Sequence, residues 1–396
     1  MTPANYHPPD LSGLRTVFQL PGDYVSALPH GSGHINDTYA VTYRANGQKA
    51  RYIQQRVNHR IFPNVPQLMD NIFRVTRHLS AKLGDGSGPG QMRTLTLIPC
   101  ADGKPYHQDA EGNYWRTYNF VDQALTYDRV ENPNQAYEAA KAFGEFQKLL
   151  ADLPEPRLFE TIPNFHNTPK RFEAFEKALR EDSAGRAASV QKEIEFFLSR
   201  GPIASVLLDE NARGTIPERV THNDTKLNNV MLDMTTGKGI CVIDLDTVMP
   251  GLALYDFGDL VRTSTSPALE DELDLSKVTM QMPMFEGLVN GYLASAGGFL
   301  TQGEKHFLAF SGKLITYEIG LRFLTDYLQG DIYFKTKRLH HNLDRARTQM
   351  ALVASIESQE DAMNRVVERA CASKNGHVTK EALGTKHEAA AAAIAQ

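Results

Sequence analysis

The segment HNDTKLNN, residues 222–229, gathers side chains that could do chemistry. Asp224 and Asn229 stand five residues apart, and Asp244 follows two short apolar runs that are joined by the turn sequence TTGKG. Those runs, residues 230–233 and 240–246, are predicted to form an antiparallel hairpin, which would return Asp244 toward Asn229. Such a polar cluster needs partners if it is buried, and a bound cation or an anionic ligand could supply them.

Two carboxylates and an amide in this arrangement fit phosphoryl transfer. Asp224 would orient an attacking hydroxyl and accept its proton, while Asn229 and Asp244 would bind magnesium. Protein kinases use the pattern HRDxxxxN followed by DFG, and this chain has HNDxxxxN followed by IDLD at 243–246. Because the D-x-x-x-x-N spacing alone is common, the prediction depends on its combination with the histidine and the hairpin.

The elements that would position these residues change in character along the chain. Before about residue 120, strand-like runs occur at 38–44, 51–57 and 114–121, with one amphipathic helix predicted over 65–82. After residue 130, helical periodicity is found over 134–151, 169–182, 188–200, 275–295 and 303–330. A chain of 396 residues is too long for one ordinary core, so two lobes are expected. The predicted fold class is α+β, with a small antiparallel sheet followed by a larger, mainly helical part.

Composition excludes several classes of partner. The formal charge of −5, with basic residues scattered among acids, argues against nucleic acid. The N-terminus lacks the features of a signal peptide and no apolar run is long enough to cross a bilayer, so we expect a cytoplasmic protein with no membrane partner. The three cysteines lie far apart without a CxxC pair, which supports neither a disulfide framework nor a zinc site.

A glycine-containing segment, GSGHINDTY at 31–39, is a candidate phosphate-binding turn. Gly31 and Gly33 would let main-chain N–H groups approach phosphate oxygens, and Asn36 or Thr38 could add a hydrogen bond. A simple hairpin turn explains the same residues equally well. Further along, Asp256 and Asp259 in YDFGD are expected to hold the loop around Asp224 or to cap a helix.

Several blocks together resemble known small-molecule kinases. HNDTKLNN, IDLDT and YDFGD resemble the aminoglycoside phosphotransferase and choline kinase superfamily, whose members have a protein-kinase-like fold. Longer collinear blocks are similar to the bacterial N-acetylhexosamine 1-kinases over residues 25–355. These blocks are GSGHINDTY (31–39), YIQQRVN (52–58), HNTPKRFEAFEKAL (166–179), RVTHNDTKLNN (219–229), IDLDTVMPG (243–251), YDFGDLVR (255–262) and RFLTDYLQGDIYF (322–334).

The resemblance implies a two-lobed protein-kinase-like fold. Its nucleotide-binding lobe would span residues 1–118, a hinge 119–122, a helical catalytic and acceptor-binding lobe 123–375, and a flexible tail 376–396. ATP and Mg²⁺ are implied, with GTP not excluded. Adenine would contact the main chain near Asn119 to Val121, and Arg56 is the candidate basic partner for the phosphates. No glutamate in the 65–82 helix is placed to pair with Arg56, which departs from the usual kinase pattern, and a surface arginine is the alternative.

The acceptor site is predicted in the second half of the chain. Asp224 would contact the attacking hydroxyl, and Asp246 and Thr247, directly after the magnesium aspartate, would face the same space. The resemblance adds Arg322 and Tyr333 as sugar contacts. Structural alternatives exist for these residues: Thr247 could cap a turn, Arg322 could pair with Asp326 one helical turn on, and Tyr333 could lie in the core.

The activity implied by the resemblance is ATP- and magnesium-dependent phosphorylation of the C1 hydroxyl of N-acetylglucosamine or N-acetylgalactosamine. A monomer is the default expectation for the oligomeric state, which the sequence leaves open. A kinase of the same fold acting on an aminoglycoside, a choline-like alcohol or homoserine is the alternative. A catalytically inactive, kinase-like binding module is disfavoured because Asp224, Asn229 and Asp244 are all present.

Overall fold

The computed structural model describes residues 11–31, 35–84 and 88–372. The chain divides into two compact units, and neither is continuous in sequence. The first, the sheet unit, comprises 1–125, 149–163 and 231–250, and the second, the helical unit, comprises 126–148, 164–230 and 251–396. The predicted hairpin that ends in Asp244 therefore packs with the N-terminal part of the chain.

A five-stranded antiparallel sheet, in the order β1-β2-β3-β5-β4, forms the centre of the sheet unit. Its strands are β1 Asp23–Pro29, β2 Asp37–Ala45, β3 Gln48–Val57, β4 His107–Gln108 and β5 Tyr114–Asn119, and its helices are α1 Leu14–Val17 and α2 Val65–Leu83. Alternating residues of β2, among them Val41 and Tyr43, are fully buried against α1. Helix α2 begins after Asn64, whose side chain accepts a hydrogen bond from the N–H of Gln67.

The predicted hairpin forms, but its second strand ends early. β6 Ala124–Leu125 pairs with β8 Val230–Asp233, which pairs in turn with β9 Gly239–Val242. The expected extension of this strand to residue 246 is wrong. Asp244 adopts a left-handed conformation with φ of +61°, and a 3-10 turn follows over Leu245–Thr247. The short strands β7 Arg219–Thr221 and β10 Met249–Gly251 flank this region in sequence.

The core of the helical unit surrounds one long helix. The helices of this unit are α3 Pro133–Leu150, α4 Thr168–Glu181, α5 Gln191–Ser199, α6 Val206–Ala212, α7 Ala253–Ser264, α8 Met282–Ala296, α9 Gln302–His306, α10 Leu308–Gln329 and α11 His341–Glu357, with helical residues again over 360–372. Helix α10 packs against α4, α7 and α11, and most of its residues are buried. No helix among the described residues is long and apolar enough to span a bilayer.

Two of the predicted helices are wrong in their bounds. The helix expected at 275–295 begins only at Met282, where Pro283 occupies its first turn, and a separate 3-10 turn covers Leu275–Lys277. The helix expected at 303–330 starts at Gln302, after a capping box formed by Thr301 and Glu304, and it is interrupted at Phe307, where ψ is 8°. Local residues, Pro283 and the Thr301 capping box, mark the start of both helices, and apolar periodicity alone does not show the break at Phe307.

Candidate active site

The loop over residues 222–229, called the Asp224 loop below, is held by a buried carboxylate. Asp256, in the first turn of α7, accepts hydrogen bonds from the main-chain N–H groups of His222 at 2.9 Å and Asn223 at 2.7 Å. Gln147 Nε2 donates a third at 2.5 Å. Burial raises the pKa of Asp256, although the nearby His222 and these donors favour its charged form. The prediction that Asp256 holds this loop is confirmed.

Asn223 is fixed on every polar group it carries. Its backbone is left-handed, with φ of +66°, and it is buried. Its side-chain oxygen accepts from Thr221 Oγ1 at 3.0 Å, and its carbonyl oxygen lies 3.0 Å from Nε2 of His166. Non-glycine residues are held in this conformation only where the surroundings determine it strongly. The direction of the next residue, Asp224, is therefore set by buried contacts.

Asp224 is a partly exposed, ionised carboxylate. Its side chain is 27% exposed, and Lys226 Nζ lies 3.0 Å from Oδ2. Its main-chain N–H donates to Nδ1 of His222 at 3.3 Å. Burial alone would raise the pKa of Asp224, but the charge of Lys226, its hydrogen bond and the charge of Arg262 outweigh it, so the pKa lies below its ordinary value. At neutral pH this group can accept a hydrogen bond from a hydroxyl.

Asn229 is oriented by Asp224. Its Nδ2 donates to the main-chain oxygen of Asp224 at 2.9 Å and to Oδ2 of the same residue at 3.1 Å. The amide oxygen is thus the group that remains to act as a ligand. Asp244, in the sheet unit, is an exposed carboxylate at the end of the buried strand β9. Oxygen donors of these two kinds are those that Mg²⁺ prefers.

The protein side chains alone do not make a metal site. Over residues 11–31, 35–84 and 88–372, no group of three or more His, Cys, Asp or Glu side chains could hold an ion. A divalent cation bound by Asn229 and Asp244 would have to take its remaining ligands from phosphate oxygens and water, as magnesium does in kinases. The assignment of these two residues to a metal stays a prediction.

Asp246 is part of a buried network in the sheet unit. It is 3% exposed, and its Oδ1 pairs with Arg116, which is 1% exposed. Its Oδ2 accepts from Asn36 Nδ2 at 2.6 Å. Gln55 Oε1 in turn accepts from Nε of Arg116 at 2.9 Å. Both carboxylate oxygens of Asp246 therefore have protein partners. An acceptor substrate that bound Asp246 would have to share these oxygens with Asn36 and Arg116. Thr247 beside it is buried as well.

The predicted nucleotide residues lie along β2 and β3. Gly31 has φ of +79° and open space where a Cβ would be, whereas Gly33 lies outside the described residues. Thr38 Oγ1 accepts from Gln55 Nε2 at 2.9 Å, and Asn36 Oδ1 accepts from the N–H of Asn58 at 2.9 Å. Thr38 and Asn36 therefore make hydrogen bonds within the sheet unit that account for these side chains without a nucleotide.

Arg56, the candidate phosphate partner, is half-exposed. It forms an ion pair with its cross-strand neighbour Asp37, with Nη2 at 2.5 Å and Nε at 2.9 Å from Oδ2. The structure thus shows it in the surface arrangement that was the alternative from the sequence. A role with phosphate would require Arg56 to leave Asp37 or to bind beside it.

The segment after β5 borders a cavity in the sheet unit. The main-chain N–H of Asn119 donates to the carbonyl oxygen of Thr96 at 3.0 Å, and Oδ1 of Asn119 accepts from the N–H of Thr96 at 2.7 Å. Val121 is buried. The cavity has a volume of about 690 Å³. It is lined by Thr42, Lys49, Ala50, Arg51, Tyr52, Asn119, Phe120 and Asp122. The predicted hinge therefore contributes three residues to a concave surface.

Arg322 and Tyr333 are close neighbours in the helical unit. The guanidinium carbon of Arg322 lies 5.8 Å from the centre of the Tyr333 ring and 5.3 Å from that of Phe165. Tyr333 is 61% exposed, so the alternative that places it in the core is wrong. Asp326 accepts from the N–H groups of residues 332–334 at 2.7–2.9 Å. It therefore holds the turn that carries Tyr333, and the alternative in which Asp326 pairs with Arg322 is wrong.

A second arginine accompanies Arg322. Arg171 donates from Nη2 to the carbonyl oxygen of Phe165 at 2.9 Å. Burial lowers the pKa of Arg171, and the like charge of Arg322 lowers it further. No described carboxylate forms an ion pair with Arg322. We call Arg171, Arg322, Phe165 and Tyr333 the arginine site.

Sequence reasoning missed the structural partners of these groups. Arg116 is the one charged residue of the buried strand β5, and a lone arginine among aromatic residues was the available signal that it needs an acid. His166 lies within a block that resembles the N-acetylhexosamine 1-kinases, but its contact with the Asp224 loop depends on the packing of α4, α7 and α10. Nothing in the sequence indicates that contact.

Comparison with known proteins identifies the family. Residues 26–280, more than half of the chain, match the phosphotransferase enzyme family, and the chain belongs to it. The structure is similar to an aminoglycoside phosphotransferase from Alicyclobacillus acidocaldarius, at 11% identity with a TM-score of 0.58, covering 91% of this chain and 99% of that one. The predicted protein-kinase-like fold is thereby confirmed.

Two further solved structures share the fold. Amicoumacin kinase hAmiN, in complex with AMP-PNP, Ca²⁺ and amicoumacin, is 13% identical with a TM-score of 0.54, covering 88% of this chain and 92% of that one. A choline kinase from Cryptosporidium parvum is 15% identical with a TM-score of 0.51, covering 84% and 89%. At such identities the likeness shows the fold alone, and function has to be argued from the site.

Proposed function

We propose that this phosphotransferase transfers the γ-phosphoryl group of ATP to the C1 hydroxyl of an N-acetylhexosamine, giving the sugar 1-phosphate in the cytoplasm. The observation that carries the proposal is the ionised, partly exposed Asp224 with Asn229 fixed beside it. The long blocks that resemble the N-acetylhexosamine 1-kinases supply the acceptor. N-acetylglucosamine and N-acetylgalactosamine both fit the proposal.

In the proposed mechanism Asp224 is the general base. Its carboxylate accepts a hydrogen bond from the anomeric hydroxyl, orients that oxygen toward the γ-phosphorus and takes its proton as the new bond forms. Lys226, 3.0 Å away, keeps the carboxylate ionised and ready to act. No covalent phosphoenzyme is required, because catalysis of this reaction consists mainly of positioning and charge stabilisation.

Magnesium and ATP complete the site. Asn229 and Asp244 would hold the metal, which when bound neutralises charge on the phosphates. Gly31 would face the phosphates with its main-chain N–H group, and the segment from Asn119 to Val121 would contact adenine. The complex of hAmiN with AMP-PNP supports a nucleotide in a protein of this fold. Arg56, Asn36 and Thr38 are the remaining candidates for nucleotide contacts.

The acceptor would be bound by the arginine site of the helical unit, and Asp246 and Thr247 are the candidate acceptor contacts of the sheet unit. Arg322 and Tyr333 offer a guanidinium donor beside an exposed aromatic ring, a combination suited to the hydroxyl and acetamido oxygens of a sugar. A buried donor left unpaired by the wrong ligand is the usual source of specificity in such pockets.

A cationic acceptor is the second candidate, since the structural neighbours include an aminoglycoside phosphotransferase and a choline kinase. Arg171 and Arg322 argue against it. Their two guanidinium groups would repel an ammonium group, because Glu318, whose charge acts on both, is fully buried and already paired with His166 and Thr168, whereas a site for such a ligand is expected to carry accessible acids. A neutral sugar rich in oxygen acceptors is therefore favoured over aminoglycosides and choline-like alcohols.

The experiment that tests this function is an acceptor screen. ATP consumption is measured with magnesium for N-acetylglucosamine, N-acetylgalactosamine, aminoglycosides, choline and homoserine. We expect turnover with the hexosamines and none above background with the cationic acceptors. Turnover confined to choline or an aminoglycoside would overturn the proposal in favour of the second candidate.

A further inference from the structure

His166 is buried, and both of its ring nitrogens face oxygen acceptors. Nδ1 lies 2.9 Å from Oε1 of Glu318 on α10, and Nε2 lies 3.0 Å from the carbonyl oxygen of Asn223. A neutral imidazole carries one N–H and could donate to only one of them. Both contacts are favourable together only if both ring nitrogens are protonated or Glu318 carries the second proton.

The surroundings of Glu318 decide between these two states. Its second oxygen accepts from Thr168 Oγ1 at 2.7 Å. Burial alone would raise the pKa of Glu318, but His166 and the charge of Arg322 outweigh it, so the pKa lies below its ordinary value. The carboxylate is therefore taken as ionised, and with an ionised Glu318 both contacts of His166 are hydrogen bonds only when the ring is an imidazolium.

The imidazolium contacts the peptide group between Asn223 and Asp224, and Asp256 holds the peptide group before it. The N–H of Asn223 is held by Asp256 at 2.7 Å, and its carbonyl oxygen is held by His166 at 3.0 Å. Asn223 is left-handed and directly precedes Asp224, so a rotation of the peptide between them would turn the Asp224 side chain. His166 restrains this peptide at its carbonyl oxygen, His222 accepts from its N–H, that of Asp224, at 3.3 Å, and Asp256 holds the preceding peptide through the N–H of Asn223.

We propose that His166 is a positioning residue for Asp224: held as an imidazolium by Glu318, it fixes the Asn223 carbonyl and thereby aims the Asp224 carboxylate at the acceptor hydroxyl. The inference rests on the proposed function in so far as Asp224 is the general base there. It extends that function by making the geometry of the base depend on the protonation of a ring that reaches the Asp224 peptide through one hydrogen bond.

The groups around the His166 ring include some that raise its pKa and some that lower it. Tyr255, on α7, has its ring centre 5.2 Å from that of His166, and Phe165 packs at 4.7 Å. Burial lowers the pKa of His166, while the charge of Glu318, its hydrogen bond, the Asn223 carbonyl and Asp259 raise it, with a net rise above 6.5. Arg171 on α4 and Arg322 on α10 act on Glu318.

The consequence is an alkaline limit on catalysis. As the pH rises through the pKa of His166, the ring keeps one proton and must give up one of its two hydrogen bonds. Weakening of the bond to Asn223 leaves Asp224 no longer aimed, so kcat should fall, while the KM for ATP should be unchanged because the buried His166 is not among the residues proposed to bind the nucleotide.

The test replaces the titrating pair by neutral amides. In His166→Gln with Glu318→Gln, the glutamine amide can still donate to the Asn223 carbonyl, and no buried charge is left unpaired. We expect kcat at neutral pH within about tenfold of wild type and no alkaline limb that is due to residue 166. His166→Leu should lower kcat by about fiftyfold or more, with the KM for ATP unchanged within about twofold.

A matched control is His341→Gln. His341 is also buried and also contacts a carboxylate, Asp271, at 3.0 Å, but its hydrogen bonds are with Asp271 and the N–H of Lys337 and not with the Asp224 loop. This variant should keep the wild-type pH profile and kcat. An alkaline limb that persists unchanged in the double glutamine variant, or a His166→Leu enzyme with wild-type kcat, would overturn the proposal.

A second measurement is independent of the acceptor. Labelled-histidine NMR of the full chain, with the His166 signal assigned by its loss in His166→Gln, gives the protonation state of the ring. We expect an imidazolium at pH 7, and a neutral ring would overturn the proposal. If the hexosamines are not substrates, the proposed function fails, and the kinetic comparison is then made with the acceptor that the screen identifies.

Discussion

The carboxylate of Asp256 accepts a 2.7 Å hydrogen bond from the main-chain N–H of Asn223, the residue that precedes Asp224. Its own main-chain oxygen accepts from Thr225 Oγ1 at 2.5 Å, on the other side of Asp224. Helix α7 is therefore hydrogen-bonded to the residues immediately before and after the proposed base. The orientation of Asp224 depends on a buried residue that need not touch any substrate.

Replacing Asp256 should weaken both catalysis and stability. Asp256→Ala leaves the N–H groups of His222 and Asn223 and the amide of Gln147 without their acceptor, which should lower the free energy of unfolding by about 2–4 kcal/mol. We expect kcat to fall by about 100-fold as the loop loses its support. Denaturant unfolding and steady-state kinetics measure the two effects. Asp209→Asn, on the exposed side of α6, is the control, and equal effects in both variants would contradict this role.

The buried pair of Arg116 and Asp246 should show strong coupling. Arg116→Met or Asp246→Asn alone leaves a buried group without its partner, at a cost of about 3–5 kcal/mol, whereas removing both should cost less than the sum of the two. A double-mutant cycle of unfolding free energies tests this. Additive losses would show that the two side chains do not depend on each other.

Arg322 should determine affinity for the acceptor. Arg322→Met removes the guanidinium donor while keeping much of the packing on Phe165 and Tyr333, so the KM for the acceptor should rise by about tenfold or more. The KM for ATP should be unchanged. Arg213→Met, an exposed arginine on the edge of the same unit, is the control. A rise in the KM for ATP alone would place Arg322 on the nucleotide instead.

Stability should depend on pH through His166 and Glu318. Because the pKa of His166 is raised, its contribution is complete below its ordinary pKa of 6.5 and is lost as the pH rises through the folded-state pKa. Because the pKa of Glu318 is lowered, its contribution is complete above 4.5 and is lost as the pH falls.

The unfolding free energy of wild type minus that of the double glutamine variant should therefore be largest between these two values. Urea unfolding at about pH 5.5 and about pH 9 should show the smaller difference at pH 9. A difference that is the same at both pH values would mean that the pair is not charged in the folded protein.

The sequence predicted those parts of the molecule that local pattern determines. Strand runs at 38–44 and 51–57 and the helix at 65–82 match β2, β3 and α2 closely, because alternation and helical periodicity reflect burial on one face. The hairpin before Asp244 was found for the same reason. The family could be predicted from HNDTKLNN, IDLDT and YDFGD, because the spacing of their acids and amides is the spacing that phosphoryl transfer requires.

Contacts made by distant segments could not be predicted in this way. The pairing of Asp246 with Arg116 joins residues 130 apart, and that of His166 with Glu318 joins residues 152 apart. The left-handed backbone at Asp244 also ended a strand that the apolar pattern extended to 246. Such features depend on which helices and strands pack together, and the local patterns of a single sequence do not predict that packing.

The central claim is that Asp224 directs a phosphoryl group onto the anomeric oxygen of an N-acetylhexosamine. Phosphorus NMR of the product formed from ATP, magnesium and N-acetylglucosamine tests it most directly. We predict a glycosyl 1-phosphate signal with the wild-type enzyme, and loss of that signal in Asp224→Asn with the fold intact. A 6-phosphate product, or an unchanged rate in Asp224→Asn, would contradict the account.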